Sequence, residues 1–471
     1  MTRDRRANGR GEAARGGHRP WLATRRAFLG AAVAGAVQGQ AKRPNIVLIM
    51  ADDMGAADLS CYQCPDTKTP QIDSLAQEGV KFNCAYANAP ECTPTRTGLL
   101  TGRYQQRVGG LECAIGVGNV GRYDEAEWLA QRGELGLPEA ETTVARMLKD
   151  AGYATACIGK WHLGYGEKFS ANRHGFEEYY GILGGNADYF THREEDGTNV
   201  LNHNGKPVEE SGHVTDLITD HSLRWMEQAT RGTKPWFLYV PYTAPHLPLQ
   251  GPDDGPVADK SKWNQGTRET YVKMVEHMDR RIGDLLTALR RAGAANNTLV
   301  IFKSDNGGYA KSNNYPYRGF KSSVFEGGLR IPLLMRWPGV IPRATATDQV
   351  AISMDVTATI LAAAGVEPGR PLDGLDLMPV LRRQQNAVPR TLYWSYKRAA
   401  QRRWAVRDGQ WKYINDNGSD YLYNLALDEA EKIDLKEAER ETFTRLRSML
   451  AAWKRQTAPE RLKPFFEAKP Q

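Results

Sequence analysis

The chain of 471 residues predicts an α/β fold: a large, mostly parallel sheet sandwiched by helices, with a small C-terminal antiparallel sheet plus helix. Three observations predict it. Four short apolar runs, each of the length of a strand buried on both faces, end in polar loops. Helical patterns fall between them, as βα alternation requires. After about residue 370 the texture changes to prolines, turns and short alternating segments. The expected division is 1–41, 42–370 and 371–471.

The four runs are NIVLIM at 45–50, ATACIG at 154–159, WFLYVPY at 236–242 and TLVIFK at 298–303. Residues 142–151, 271–292 and 355–364 read as helices, each followed closely by Gly152, Gly293 or Gly365, the residue that most readily takes the left-handed turn past a helix end. In the long middle helix Met274, Val275, Met278, Ile282, Leu285, Leu286 and Leu289 recur at helical spacing and form a core stripe. Beyond Pro368, Pro371 and Pro379, the segments 392–396, 403–407, 411–414 and 421–423 read as strands, and about 436–454 as a helix.

Charge excludes a nucleic-acid function. Lys and Arg number 62 against 55 acidic residues, a formal +7. Residues 1–41 hold eight arginines against Asp4 and Glu12, so +6 of that surplus is N-terminal and about +1 is left on the other 430 residues. No basic stripe interleaved with aromatics appears there. Residues 27–37 (AFLGAAVAGAV) form an apolar run of 11, too short for a stable membrane anchor and suited to a signal-peptide core, with Gly39-Gln40-Ala41 as the cleavage site. The preceding Thr24-Arg25-Arg26-Ala27-Phe28-Leu29 looks like a twin-arginine (Tat) export signal, which implies Tat machinery as a partner and a bacterial periplasmic or secreted location. Six cysteines are too few for a disulfide framework. Cys61 and Cys64 have CxxC spacing without the second pair that zinc needs, and read as a local disulfide or two free thiols.

The chemistry is carried by residues just past the predicted strand ends, where ligands of open α/β sheets bind. Asp52 and Asp53 follow one strand, Asp305 and Asn306 another. Three carboxylates and an amide are hard donors that suit Ca²⁺, or Mg²⁺, rather than zinc. Arg96, Lys160, His162, His246 and Lys321 add positive or protonatable groups. A divalent cation with several cationic side chains is what a tetrahedral oxyanion group requires. Pro94 fits a first helical turn and puts Cys92 at a helix N-terminus, where an anion is favoured.

Residues 90–102 (PECTPTRTGLLTG) then narrow the reading. They resemble the first signature of the type I, formylglycine-dependent sulfatases of the alkaline-phosphatase-like superfamily, centred on Cys-x-Pro-Ser/Ala/Thr-Arg. Gly152–His162 (GYATACIGKWH) resembles the second, and Pro245-His246 and 325–332 extend the likeness over about 43–435. Glu91 departs from the apolar or hydroxyl residue usual before the Cys, leaving Cys, Pro and Arg intact.

The resemblance implies that Cys92 is oxidised to formylglycine by a formylglycine-generating enzyme. One hydroxyl of the aldehyde hydrate attacks sulfur, and the other, once deprotonated, expels sulfate. It implies that Asp52, Asp53, Asp305, Asn306 and the Cys92-derived group hold the cation. Arg96 steadies the hydrate, and Lys160 and His162 contact it, with His162 as the base. His246 and Lys321 bind sulfate and assist the leaving oxygen. The implied substrates are sulfated carbohydrates or aryl sulfates, with 186–192, His203, Trp263, 313–318 and Trp394 as sugar-subsite candidates. Two alternatives stand beside this: a phosphonate or phosphate diester hydrolase of the same superfamily, and a non-catalytic glycan-binding relative, which would be expected to lose one of the site residues.

Overall fold

The four apolar runs become four neighbouring strands. The computed structural model describes residues 43–468 except 258 and 310, so the export signal and its cleavage site lie outside the described residues. In chain order the strands are β1 Asn45–Ala51, β2 Val80–Phe82, β3 Ala85–Tyr86, β4 Ala154–Ile158, β5 Glu178–Ile182, β6 Leu201–His203, β7 Lys206–Pro207, β8 Trp236–Pro241, β9 Thr298–Ser304, β10 Leu333–Arg336, β11 Thr345–Thr347, β12 Ala351–Ile352, β13 Thr391–Arg398, β14 Gln401–Asp408, β15 Trp411–Asp416 and β16 Ser419–Asn424. The helices that follow them are α1 Pro70–Gln77, α2 Cys92–Thr101, α3 Asp124–Gln131, α4 Val144–Asp150, α5 Val214–Arg231, α6 Arg268–Arg291, α7 Glu326–Leu329, α8 Ser353–Ala364, α9 Met378–Leu381, α10 Arg440–Gln456 and α11 Lys463–Ala468.

The large sheet has ten strands in the order β11-β2-β10-β9-β1-β8-β4-β5-β6-β7. Its centre, β9-β1-β8-β4-β5, is parallel. Antiparallel strands flank it, β10 against β9 and β6 against β5. The flanks were not legible as a series of strands because they are short. β7 is exposed at both residues, and Lys206 and Pro207 keep that edge from pairing further.

Period-two alternation divides the core. Ile46, Leu48 and Met50 of β1 face one apolar cluster, which includes residues of α2, α4 and α8; Val47, Ile49 and Ala51 face the other, with residues of α1, α5 and α6. The predicted stripe of α6 is buried in the second cluster throughout. The helix starts earlier than its apolar pattern because Thr267 caps it, its side chain accepting from the Thr270 N–H. The C-terminal segments form the antiparallel sheet β13-β14-β15-β16 with α10 packed on it. That sheet shares the first apolar cluster through Leu392, Trp394, Tyr396 and Tyr413.

Register sets the site. Met50 and Ala51 of β1 pair with Lys303 and Ser304 of β9, so the two strands end level, and the Asp305 N–H donates to the Ala51 carbonyl at 3.0 Å. Asp52-Asp53 and Asp305-Asn306 therefore leave the sheet side by side. β4 ends two strands across from β1, beyond β8, where the Lys160 N–H donates to the Pro241 carbonyl at 2.7 Å. A Cβ at Gly159 would lie 2.1 Å from the Pro241 carbonyl oxygen, so only glycine permits this turn.

Candidate active site

Helix α2 brings Cys92 to the strand ends. Every residue of the helix is buried, and Thr97 and Thr101 spend their hydroxyls on the carbonyls four residues back. Cys92 is its first residue. The Cys92 thiol donates to Asp52 Oδ1 at 3.3 Å. Lys160 Nζ donates to Asp52 Oδ2 and lies 3.6 Å from Cys92 Sγ. Lys321 Nζ, from the loop before α7, also lies 3.6 Å from the sulfur, donates to Asp53 Oδ2 at 2.8 Å and reaches His246 Nε2 at 3.0 Å. Arg96, one turn into α2, donates to the Lys160 carbonyl at 2.7 Å and to Asp305 Oδ2 at 3.3 Å. Asp305 Oδ1 accepts from the N–H groups of Asp53 and Asn306. Asn306 Nδ2 donates to Asp53 Oδ1 at 2.8 Å.

All ten residues singled out from the sequence thus meet in one cluster or its wall, His162 joining through the cavity lining. Two of them carry left-handed backbone, Asp53 at φ 61° and His162 at φ 55°, and Ser322 beside Lys321 has φ 70°. Such non-glycine outliers gather where surrounding structure overrides local preference.

Three carboxylates, Asp52, Asp53 and Asp305, face three cations, Arg96, Lys160 and Lys321, all largely buried. Burial first, then the facing Asp305, pushes Asp52 up to about 7. Burial opposes ionisation of Asp305 as well, but Arg96 and Lys160 hold it below the usual carboxylate range. Burial, Asp305 and Asp52 push the Cys92 thiol well up, so it is a thiol and not a thiolate nucleophile. Burial pushes both histidines down, with Lys160 adding to the effect on His162 and Lys321 to that on His246; both rings are neutral near pH 7. Each ring has a defined tautomer, since a carbonyl only accepts. His162 Nε2–H donates to the Ile115 carbonyl, and its Nδ1 is buried without a partner among the described residues. His246 Nδ1–H donates to the Leu247 carbonyl, leaving Nε2 to accept from Lys321.

The donor set fits a hard cation. Ligand atoms of Asp52, Asp53, Cys92 and His246 lie within 4.8 Å of one another. Asn306 Oδ1 is buried without a hydrogen-bond partner among the described residues, and a buried carbonyl oxygen in that position is short of a positive neighbour. These oxygens are the donors that suit Ca²⁺ or Mg²⁺.

A cavity of about 260 Å³ opens over Cys92, lined among others by Glu91, His162, His246 and Lys321. Of the sugar-subsite candidates, Asn186 and Trp263 line it. His203 and Trp394 do not. His203 pairs with Glu178 across β5 and β6, and Trp394 is wholly buried with its indole N–H on the Ala87 carbonyl. Cys61 and Cys64 are free thiols, not a disulfide; Cys64 accepts from Arg268 and donates to Asp66 instead.

Glu91 has a structural place that its sequence position did not disclose. Its buried carboxylate accepts from the Ala114 N–H and from Ser322, Tyr396 and Arg398. It ties the start of α2 to the Lys321 loop and to β13.

Residues 44–366 match the family model described as Sulfatase. The chain belongs to this family. The sulfatase is a sulfuric ester hydrolase, and its residues 319–456 match the model described as N-sulphoglucosamine sulphohydrolase, C-terminal. It is 33% identical to N-acetylgalactosamine-6-sulfatase of Sus scrofa, an alignment covering 73% of this chain and 67% of the relative. It is 32% identical to arylsulfatase J of Mus musculus, covering 78% of this chain and 61% of the relative. The solved structure of Ps i-CgsB in complex with k-i-k-neocarrahexaose superposes at a TM-score of 0.78 with 31% identity, covering 88% of this chain and 93% of that one.

Proposed function

We propose that this sulfatase hydrolyses sulfate monoesters of carbohydrates, with position 92 converted to formylglycine beside a bound divalent cation. The observation that carries the reading is the convergence of Asp52, Asp53, Cys92 and His246 ligand atoms within 4.8 Å at the floor of a cavity. The carbohydrate class is supported by relatives named N-acetylgalactosamine-6-sulfatase and by a neighbour solved in complex with k-i-k-neocarrahexaose.

Asp52, Asp53, Asp305 and Asn306, with the group at position 92, would hold Ca²⁺ or Mg²⁺. Converted and loaded, the site supplies a hydroxyl nucleophile with a second hydroxyl for release, and a Lewis-acid charge on the sulfate. The chain's own residues do the rest. Lys160 holds positive charge at position 92 while anchored on Asp52. Arg96 fixes the Lys160 carbonyl and Asp305, keeping cation and nucleophile in register. His162 Nδ1, a lone pair held neutral by burial, takes the proton of the second hydroxyl. Lys321 is the donor of its pair with His246: the ammonium binds a sulfate oxygen and donates to the His246 Nε2 acceptor at 3.0 Å, and a proton held between them is within the pair's reach for the departing alcohol oxygen. The buried walls exclude water from these charges and strengthen each of them.

Export through the Tat route to a bacterial periplasm or beyond completes the proposal, resting on the sequence of residues 24–41. A folded protein crosses by that route, so conversion of Cys92 by the formylglycine-generating enzyme precedes export. The test is mass spectrometry of the Cys92 peptide from a host with that enzyme, paired with turnover of an aryl sulfate and of a phosphodiester. We expect an aldehyde at position 92 and preference for the sulfate. An unmodified thiol in fully active protein, or preference for the diester, overturns it.

A further inference from the structure

We propose that Arg122 anchors a second anion subsite in this cavity, so that the preferred sugar carries, besides the sulfate that is cleaved, another oxyanion: a carboxylate or a second sulfate. The inference rests on the sulfatase reading of the cavity.

Among the described residues, three Lys or Arg side chains line the cavity: Lys321, Arg398 and Arg122. Lys321 is spent on Asp53 at 2.8 Å and Arg398 on Glu91 at 2.8 Å. The guanidinium of Arg122 makes no hydrogen bond or ion pair among the described residues. The acids that line the cavity do not serve it: Glu91 is taken by Arg398, Glu194 accepts from Tyr165 at 2.6 Å, and Glu195 makes no hydrogen bond or ion pair with Arg122 among the described residues.

The place of Arg122 is built rather than incidental. Gly116 and Val120 form a backbone bridge, with N–H to carbonyl distances of 2.9 and 3.3 Å in the two directions, closing the loop that leads to Arg122. The Arg122 carbonyl accepts from the Ala399 N–H at 2.6 Å, in the turn after β13. A Cβ at position 116 would lie 3.3 Å from Arg122 Nε, so the side chain packs where Gly116 leaves room. Backbone and stem are thus held where Arg122 lines the cavity.

A guanidinium at a cavity wall with no protein counter-ion is available to a ligand anion, and partial burial strengthens that pairing relative to one in open water. Its planar fork matches two oxygens of a carboxylate or sulfate. A neutral sugar would leave it unpaired. An acidic or disulfated sugar would complete the charge pattern, one anion over the Cys92 cluster and the other on Arg122.

The test uses matched sulfated disaccharides, with the second group present or absent: a uronic carboxylate against its reduced alcohol, and a second sulfate against a hydroxyl. The readout is the ratio of kcat/KM within each pair, for the native enzyme and for R122Q and R122K. We expect the native enzyme to favour one anionic member by about tenfold or more, the size of one charged hydrogen-bonded pair. R122Q should abolish that ratio chiefly through KM, with R122K between. The pair that shows the preference identifies the anion as carboxylate or sulfate. No native preference in either pair, or a preference unchanged in R122Q, overturns the inference. Calorimetric binding of the same disaccharides to C92A and to C92A/R122Q reads the subsite without turnover. Loss of anion preference there would sustain it even if no sulfate ester were cleaved, whereas failure of the native enzyme on every sulfate ester would fall on the proposed function.

Discussion

At the scale of single residues, the site is a balance of buried charges that no one residue satisfies alone. Cys92 shows it best. A buried thiol between a carboxylate and two ammonium groups, with its pKa pushed up, is a poor nucleophile, so its chemistry depends on conversion. We expect Cys92→Ala to lower kcat by several orders of magnitude with an unchanged circular dichroism spectrum and melting temperature near native; retained activity would refute its role. Asp305 holds two backbone N–H groups and Arg96 together. Asp305→Ala should lose activity and bound metal in parallel, measured by elemental analysis of the purified protein. Unchanged metal stoichiometry would remove it from the ligand set. The types of these residues were legible in the sequence, because hard donors and cations past strand ends already implied an oxyanion pocket. The roles of Glu91 and Arg122 were not, since neither residue's partners, nor its want of them, follow from its neighbours in the chain.

At the scale of elements, helix α2 and its contacts carry the site. Glu91, at its N-cap, is buried against Arg398, whose guanidinium reaches solvent. Removing one partner of such a pair should cost about 3 kcal/mol, the low end for a buried pair. Burial alone would raise the Glu91 carboxyl; Arg398 and the Ala114 N–H outweigh it and hold it below its ordinary value. A depressed acid contributes its stability fully above its unfolded value near 4.5 and loses it as the pH falls through the folded value. Glu91→Ala should therefore lower the denaturant midpoint at pH 7 and flatten the acid side of the stability curve; a parallel curve would contradict the pairing. Gly98, on the other side of the helix, meets Asn88 so closely that a Cβ would lie 2.2 Å from its amide nitrogen, while Asn88 Oδ1 accepts from the Met354 N–H at the start of α8. Gly98→Ala should destabilise by about 1–3 kcal/mol through overpacking, read as a lower melting temperature. The sequence announced α2 through Pro94 but not this contact, because a helix buried on all sides has no amphipathic stripe to read. The short flanking strands likewise escaped notice, their form being imposed by neighbours rather than by local pattern, whereas α5 carries a helical stripe of Val214, Leu217, Ile218 and Met226 that could have been read.

At the scale of the whole molecule, the division at residue 370 is a proposal about sequence texture, and the packing gives it a limit. Trp394, Tyr396 and Tyr413 of the C-terminal sheet belong to the same apolar cluster as Leu99 and Trp161 beside the site, and Lys412 is buried between Glu326 of α7 and Glu431. A chain truncated after Arg370 would expose that apolar face and leave Glu326 without its ammonium partner. We expect it to be insoluble or inactive, checked by sedimentation and aryl-sulfate turnover; a soluble, active truncation would show the two parts to be independent. The sequence by itself determined the central strands, the order of the motifs and the kinds of side chain delivered past the strand ends. Those are local properties of apolar runs and turns, and they fix which chemistry is available. Only the tertiary structure decided that β1 and β9 end level, that α2 sets a thiol against the carboxylates there, and which cation in the cavity stays unpaired. Pairing of charges is settled by distances across hundreds of residues, and those distances exist only after the chain has packed.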